Sequence, residues 1–213
     1  MPIAWEDPPG YGSAIEANVK RVLERIAATS ELRNPPTVAS AKAWHRALYS
    51  GIPRPVDYFA GEVRDSDPNH PELIAYEVEV GGAPGVASAL VPDALERFEA
   101  AAQAASARLD AVIAPSAGEG VELSSVQLHG VLTLCALLHG EWVRIHPFAN
   151  GNGRTARLWA NWAALRYDLP PFVTIKPRPG HPYAAAGMAS MRGEHRVAVA
   201  VFHQMLLDCL ASL

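Results

Sequence analysis

Cysteine is scarce. The two in the chain, Cys135 and Cys209, lie far apart in apolar, helix-like segments and belong to no CxxC or Cys/His ligand cluster. That spacing argues against a disulfide framework or a structural zinc site, and both thiols are expected buried and reduced. The opening residues MPIAWEDPPGYG lack the basic start and apolar run of a signal peptide, and no apolar stretch is long enough to span a bilayer. The expectation is a protein of the bacterial cytoplasm, with no membrane partner, or one exported by a secretion system that reads no such signal. Positive charge is not in excess either: the formal net charge is −4 and the pI about 6.0. Without a basic field to neutralise a run of phosphates, nucleic acid is not an expected partner, although local geometry can still hold a small anion. β-forming alternation is nearly absent.

What is present is apolar helix. Hydrophobic residues make up 49% of the 213, enough for one continuous core. Ile15, Val19, Val22, Leu23 and Ile26 recur at helical spacing over residues 13–28. Thr37 and Gly51 bracket a second helix among Pro35, Pro36, Pro53 and Pro55. Residues 57–72 are polar and turn-rich. Ala75 to Val80 alternates with period two before Gly81-Gly82, and Val86 to Val91 is expected to return as the second arm of a hairpin. Pro92 and Asp93 then open an Ala-rich helix to about Val112, with Leu95, Phe98, Ala102, Ala105 and Leu109 inward. Ser124 and Gln127 form a capping box ahead of a helix apolar on two sides, through Val131, Leu132, Leu134, Cys135, Leu138, Trp142 and Ile145. A further helix from about Asn152 is stopped by Pro170-Pro171, and two more are expected near 181–192 and 194–211. The organisation reads as an N-terminal extension, 1–36, and one helical domain, 37–213.

Chemistry concentrates in His146-Pro147-Phe148-Ala149-Asn150-Gly151-Asn152-Gly153-Arg154-Thr155-Ala156-Arg157, between the buried helix and the start of the next. A helix N-terminus offers unpaired N–H groups and partial positive charge to an anion. Gly151 and Gly153 are expected to take positive φ and let the backbone approach a phosphate. Arg154 and Arg157, three apart, project from one helix face and can fork onto phosphate oxygens. His146, at the opposite rim, can take a proton near neutral pH. Base, anion cradle and arginine clamp together point to phosphoryl-type transfer. The loop is neither a GxxxxGK[ST] P-loop nor a Rossmann turn, which needs a preceding strand. His181, His195 and His203 have no metal-ligand spacing, and Trp159 and Trp162 are expected in the core.

At these residues the sequence resembles the Fic (filamentation induced by cAMP) family, whose signature is HxFx(D/E)GNGRxxR; every fixed position but one matches. The resemblance extends over roughly residues 40 to 210 and implies an all-α fold with a small β-hairpin flap. It implies transfer of AMP from ATP to a hydroxyl side chain of a target protein, with Mg²⁺ as cofactor. By position His146 would be the general base and Phe148 the loop anchor. Gly151, Asn152 and Gly153 would form the anion hole, and Arg154 and Arg157 would bind nucleotide phosphates. Tyr183 lies where the family places a tyrosine near the nucleotide. The departure is Asn150, standing where the family has a metal-binding Asp or Glu; its side-chain carbonyl can ligate a hard cation, but without the charge of a carboxylate. That leaves open transfer of another phosphate-containing group, or nucleotide binding with little turnover. Gly12-Ser13-Ala14-Ile15-Glu16-Ala17 partly matches the family's inhibitory helix (S/T)xxxE(G/N), which would pair Glu16 with Arg157. Implied partners are a target protein docking at the 75–91 hairpin by β-augmentation and an antitoxin-like or homo-oligomeric partner.

Overall fold

A computed structural model describes residues 3–30, 32–115 and 122–213. The chain runs α1 (Gly12–Ser30), α2 (Val38–Leu48), two single 3-10 turns, a hairpin of β1 (Glu79–Val80) and β2 (Ala83–Pro84), then α3 (Val91–Asp110), α4 (Ser125–Ile145), α5 (Asn152–Arg166), α6 (Tyr183–Met191) and α7 (Val197–Leu210). This is the all-α fold with a small hairpin expected from the sequence.

The central helix is α4, which packs against α3, α5, α6 and α7. Its start is fixed by the capping box: Ser124 Oγ accepts the Gln127 N–H (3.3 Å) while Gln127 Oε1 accepts the Ser124 N–H (2.9 Å). Its apolar residues are buried on more than one side because it has neighbours on more than one side; Val131, Cys135, Leu138, Trp142 and Ile145 are fully buried. Phe98 of α3 meets Trp142 and Trp159 edge-on at 5.3 and 5.4 Å between ring centroids, an arrangement favoured by the ring quadrupoles. Each such ring removed from water contributes on the order of 2 kcal/mol. A second apolar cluster joins Ile15, Val19, Val22 and Ile26 of α1 to Leu48, Phe59 and Trp5. α5 lies between the two: Trp159 belongs to the first and Leu158 to the second. Buried on both flanks, α5 holds its N-terminus in a fixed place.

Several sequence expectations need correction. The hairpin is shorter than the alternation suggested. Gly81 and Gly82 both have positive φ (57° and 80°), which makes a tight two-residue turn; the ladder pairs only Glu79 with Pro84 and Val80 with Ala83, plus the Gly85 N–H on Val78 O. Pro84 has no N–H to donate, and the Val86 N–H bonds Arg144 O at the end of α4 instead (3.2 Å). The return arm over 86–91 is therefore lost to the helix terminus, to a 3-10 turn at Ser88–Leu90 and to the start of α3. Tyr76 is buried, not part of an exposed flap, and its hydroxyl donates to Ile3 O. Cys135 is buried as expected but Cys209 is only half-buried, near the exposed end of α7; both are free thiols. Trp162 is likewise only partly buried, packed beside Trp159.

Candidate active site

The last turn of α4 ends on His146 in the left-handed region (φ 53°, ψ 56°), a conformation that costs a non-glycine residue about 1 kcal/mol or more. The side chain of Arg64 holds it there. Its guanidinium is fully buried and donates to His146 O (2.9 Å), Ile145 O (3.0 Å), Val86 O (2.9 Å) and Tyr76 O (2.8 Å). It thus satisfies terminal carbonyls of α4, sets a cation at the negative end of the helix and ties the hairpin to it. Phe148 is buried and stacks on the His45 ring at 3.8 Å and 13°. Both His45 nitrogens are used: Nδ1 accepts the Gly61 N–H and Nε2 donates to Asn150 O, each at 2.9 Å. Protonation would break the first of these bonds, and burial pushes the His45 imidazole down to about 3.

Asn152 closes the loop. Its Oδ1 accepts the Phe148 N–H (2.8 Å) and its Nδ2 donates to Phe148 O (2.7 Å). Its side chain is therefore a brace, and only its backbone N–H is left for a phosphate. Gly151 takes positive φ (77°), and a Cβ there would lie 2.8 Å from His45 Nε2 and from Tyr49 Oη. Gly153, against expectation, does not take positive φ: it sits inside the first turn of α5 with helical backbone.

His146 Nδ1 lies 3.1 Å from Val143 O. A carbonyl only accepts, so Nδ1 carries the proton and Nε2, which has no partner among the described residues, carries the lone pair. Burial, with a contribution from the Arg64 charge, lowers the His146 pKa to about 4. The ring is therefore neutral at physiological pH, with the Nε2 lone pair available. It borders a cavity of about 440 Å³. Facing it is the N-terminus of α5, where no side chain caps Gly151 and the Asn152, Gly153 and Arg154 N–H groups have no intrahelical acceptor. Arg157 lines the cavity, anchored through Nε and Nη2 to Ile175 O and through Nη1 to the Tyr183 hydroxyl. Tyr183 reaches in turn to His139 Nε2 at 2.6 Å. Tyr183, expected near the nucleotide from the sequence, is buried and lines the same cavity.

Arg154 is held differently. Asp7, from the N-terminal segment, receives both of its terminal nitrogens (2.6 and 2.7 Å), and the Tyr49 hydroxyl takes a further bond at 2.6 Å. Partial burial works against ionisation of Asp7, but hydrogen bonding and charge contact with Arg154 win and hold its carboxyl below the ordinary value. Asn150 also joins this cluster: Nδ2 donates to Asp7 (3.2 Å) while Oδ1 accepts the Gly151 N–H (2.7 Å). Glu16 is not brought to Arg157: it stands exposed on α1, because the buried face of that helix is the Ile15, Val19, Val22 stripe.

Arg64, His45, Asp7, Tyr49, Lys176 and Arg178 all serve this region, and the sequence reading missed them. No local spacing signals them, because each reaches the loop or cavity from a distant segment. His195 bonds Glu141 (2.9 Å) and stays outside the cavity. Among the described residues no helix is long and apolar enough to cross a membrane.

The Fic/DOC family model matches residues 35–164. A stretch of 56 residues is 45% identical to the uridine 5'-monophosphate transferase of Xanthomonas campestris pv. campestris (strain 8004), covering 24% of this chain and 10% of that protein. A stretch of 85 residues is 36% identical to the protein adenylyltransferase Fic of Drosophila mojavensis, covering 40% of this chain and 16% of that one. The chain thus spans only a small part of the curated relatives it matches. A Fic domain containing signaling protein from Bacteroides thetaiotaomicron superposes with a TM-score of 0.54 at 20% identity, over 91% of this chain and 69% of that chain. BepC of Bartonella tribocorum, solved with bound AMPPNP, does so with a TM-score of 0.55 at 15% identity, over 91% and 86%. At those identities the likeness establishes the fold.

Proposed function

Given that this chain belongs to the Fic/DOC family, whose model matches residues 35–164, we propose that it is a nucleotidyltransferase that moves AMP from ATP onto a side-chain hydroxyl of a target protein. The observation that carries the reading is one cavity bordered by a neutral histidine with a free Nε2, an uncapped helix N-terminus and a buried arginine. His146 Nε2 removes the hydroxyl proton as the oxygen bonds the α-phosphorus; the bond from that phosphorus to the bridging oxygen breaks, and pyrophosphate leaves. The Asn152, Gly153 and Arg154 N–H groups face the phosphate charge, and Arg157, kept in place by Ile175 O and Tyr183, pairs with the terminal phosphate. Phe148 and Asn152 keep this loop from relaxing when the ligand is absent. The β1 edge, beside the cavity at Val80, offers backbone groups to an extended target segment.

A second reading has specific support. The 45% identity to a uridine 5'-monophosphate transferase over 56 residues favours transfer of a nucleotide other than AMP by the same chemistry. The test is incubation with a candidate target and ATP or UTP labelled at the α-phosphate, or ATP labelled at the γ-phosphate, beside the His146→Ala variant. Label from α-labelled ATP that disappears in the variant supports AMP transfer, with a loss of at least ~100-fold expected for a missing base. Label from UTP alone moves the assignment to uridylylation, and label from the γ-position alone to phosphoryl transfer. No label from any donor defeats the enzymatic reading.

A further inference from the structure

Resting on the nucleotide reading above, we propose that this site holds the donor's phosphates with protein cations alone, Lys176 and Arg178 joining Arg157, and needs no divalent ion there. The side chains around Asn150 do not make a cation site. Oδ1 is the only side-chain atom of Asn150 able to ligate one, and it accepts the Gly151 N–H at 2.7 Å, while the backbone O of Asn150 accepts from His45 Nε2. Turning the amide over is disfavoured, since it would set an amide nitrogen against that N–H and an oxygen against the Asp7 carboxylate. The nearest carboxylate, Asp7, has both oxygens on Arg154. Among the described residues no Asp or Glu lines the cavity, and no group of three or more His, Cys, Asp or Glu could hold a metal. A hard dication prefers charged oxygen ligands and finds none here.

The opposite wall supplies positive charge instead. Lys176 and Arg178 follow Ile175, whose carbonyl anchors Arg157, and both line the cavity. Lys176 Nζ makes one bond, to Gly12 O at 3.0 Å. Arg178 is exposed and has no hydrogen-bond or ion-pair partner among the described residues. With Arg157 they set three cations around the place a triphosphate would occupy, in a protein whose net charge is negative. Arg154, tied to Asp7 and Tyr49, is the least available of the cavity's cations.

Titration calorimetry of the full chain with α,β-methylene-ATP, in which a carbon replaces the bridging oxygen of the bond that AMP transfer breaks, in excess Mg²⁺ and again in EDTA, tests this without relying on turnover. The expected affinities agree within about threefold, and Arg178→Gln weakens binding about tenfold in both conditions, a loss of roughly 1.4 kcal/mol. Lys176→Gln should weaken it similarly, with an unchanged melting temperature as the control for its Gly12 contact. Asn150→Asp should create a Mg²⁺ response that the parent lacks. An affinity that falls tenfold or more in EDTA, or one indifferent to both neutralised side chains, overturns the proposal and leaves the nucleotide reading intact. Absence of binding both with Mg²⁺ and with EDTA overturns both.

Discussion

The two walls of the cavity are built by opposite kinds of contact. On the motif wall the side-chain bonds that shape the loop itself are short in sequence, His146 to Val143, Asn150 to Gly151 and Asn152 to Phe148, with His45 and Asp7 added from outside. On the facing wall they are long: Arg157 to Ile175, Lys176 to Gly12, Tyr183 to His139. A wall whose groups satisfy one another within a few residues is organised before any ligand arrives, which is what electrostatic catalysis requires. A wall assembled from remote segments can vary its charge and its ligand while the first stays as it is. Family identity therefore lies in the first wall, and donor preference is more readily set by the second.

The comparison breaks most severely at Arg64, the remote residue that ties the end of α4 to the hairpin. Arg64→Met would leave buried carbonyls of His146, Ile145, Val86 and Tyr76 without their donor. At about 1 kcal/mol or more for each orphaned acceptor, stability should fall by roughly 4 kcal/mol and the melting temperature by about 10 °C. Thermal unfolding checks it. A drop under ~1 kcal/mol would mean that the α4 terminus holds His146 unaided. Asn152→Ala is a local disruption within the same wall: it orphans the buried Phe148 N–H and C=O and should cost roughly 2–4 kcal/mol. Hydrogen exchange at the Phe148 amide should accelerate by about the corresponding factor, while amides in the middle of α3 change only with global stability.

Acid probes both walls at once. His45 backs the motif loop and His139 lies behind the facing wall; burial holds each at about 3, against an ordinary 6.5. Between those values the unfolded chain binds protons that the folded chain refuses. Stability is therefore full above about pH 6.5 and is lost as pH falls toward 3. Each histidine should remove roughly 2 kcal/mol between pH 7.5 and pH 5. Denaturant titrations at the two pH values, with His45→Gln and His139→Gln as controls, measure the separate shares. The His146 value of about 4 predicts further that the acid limb of any transfer activity lies near pH 4 rather than 6.5. A limb at 6.5 would mean that His146 titrates at its ordinary value during transfer, with burial no longer holding it down.

The same division governs what the sequence revealed. The capping box of α4, the helix starts at Thr37 and Pro92 and the His146 to Arg157 loop could all be read, because each is written within a few consecutive residues. The hairpin is shorter than its sequence suggests because alternation over Ala75 to Val80 carries no sign that Arg64 takes the Tyr76 carbonyl and the Arg144 carbonyl takes the Val86 N–H. Glu16 matches part of a motif on α1 but lies on the exposed face of that helix. The acid that does reach a motif arginine is Asp7, in a segment with no periodicity, where the buried Trp5 packs on Tyr49.

Asp7→Asn is the mildest change and bears on what that contact does. The pair is bidentate, but the Asp7 side chain is 37% exposed, so its contribution to stability is expected to stay within about 1 kcal/mol and a few degrees in melting temperature. Its effect on the ligand should be more visible. Releasing Arg154 from a carboxylate adds a cation to the cavity that the pair now neutralises, so α,β-methylene-ATP should bind a few-fold more tightly, and the gain should shrink as salt is raised. If affinity falls instead, Asp7 works by holding the guanidinium in its phosphate-binding position, and the N-terminal segment is then part of the site. Unchanged affinity at unchanged stability would mean that Arg154 meets no phosphate, leaving Arg157 and the facing wall to hold the donor.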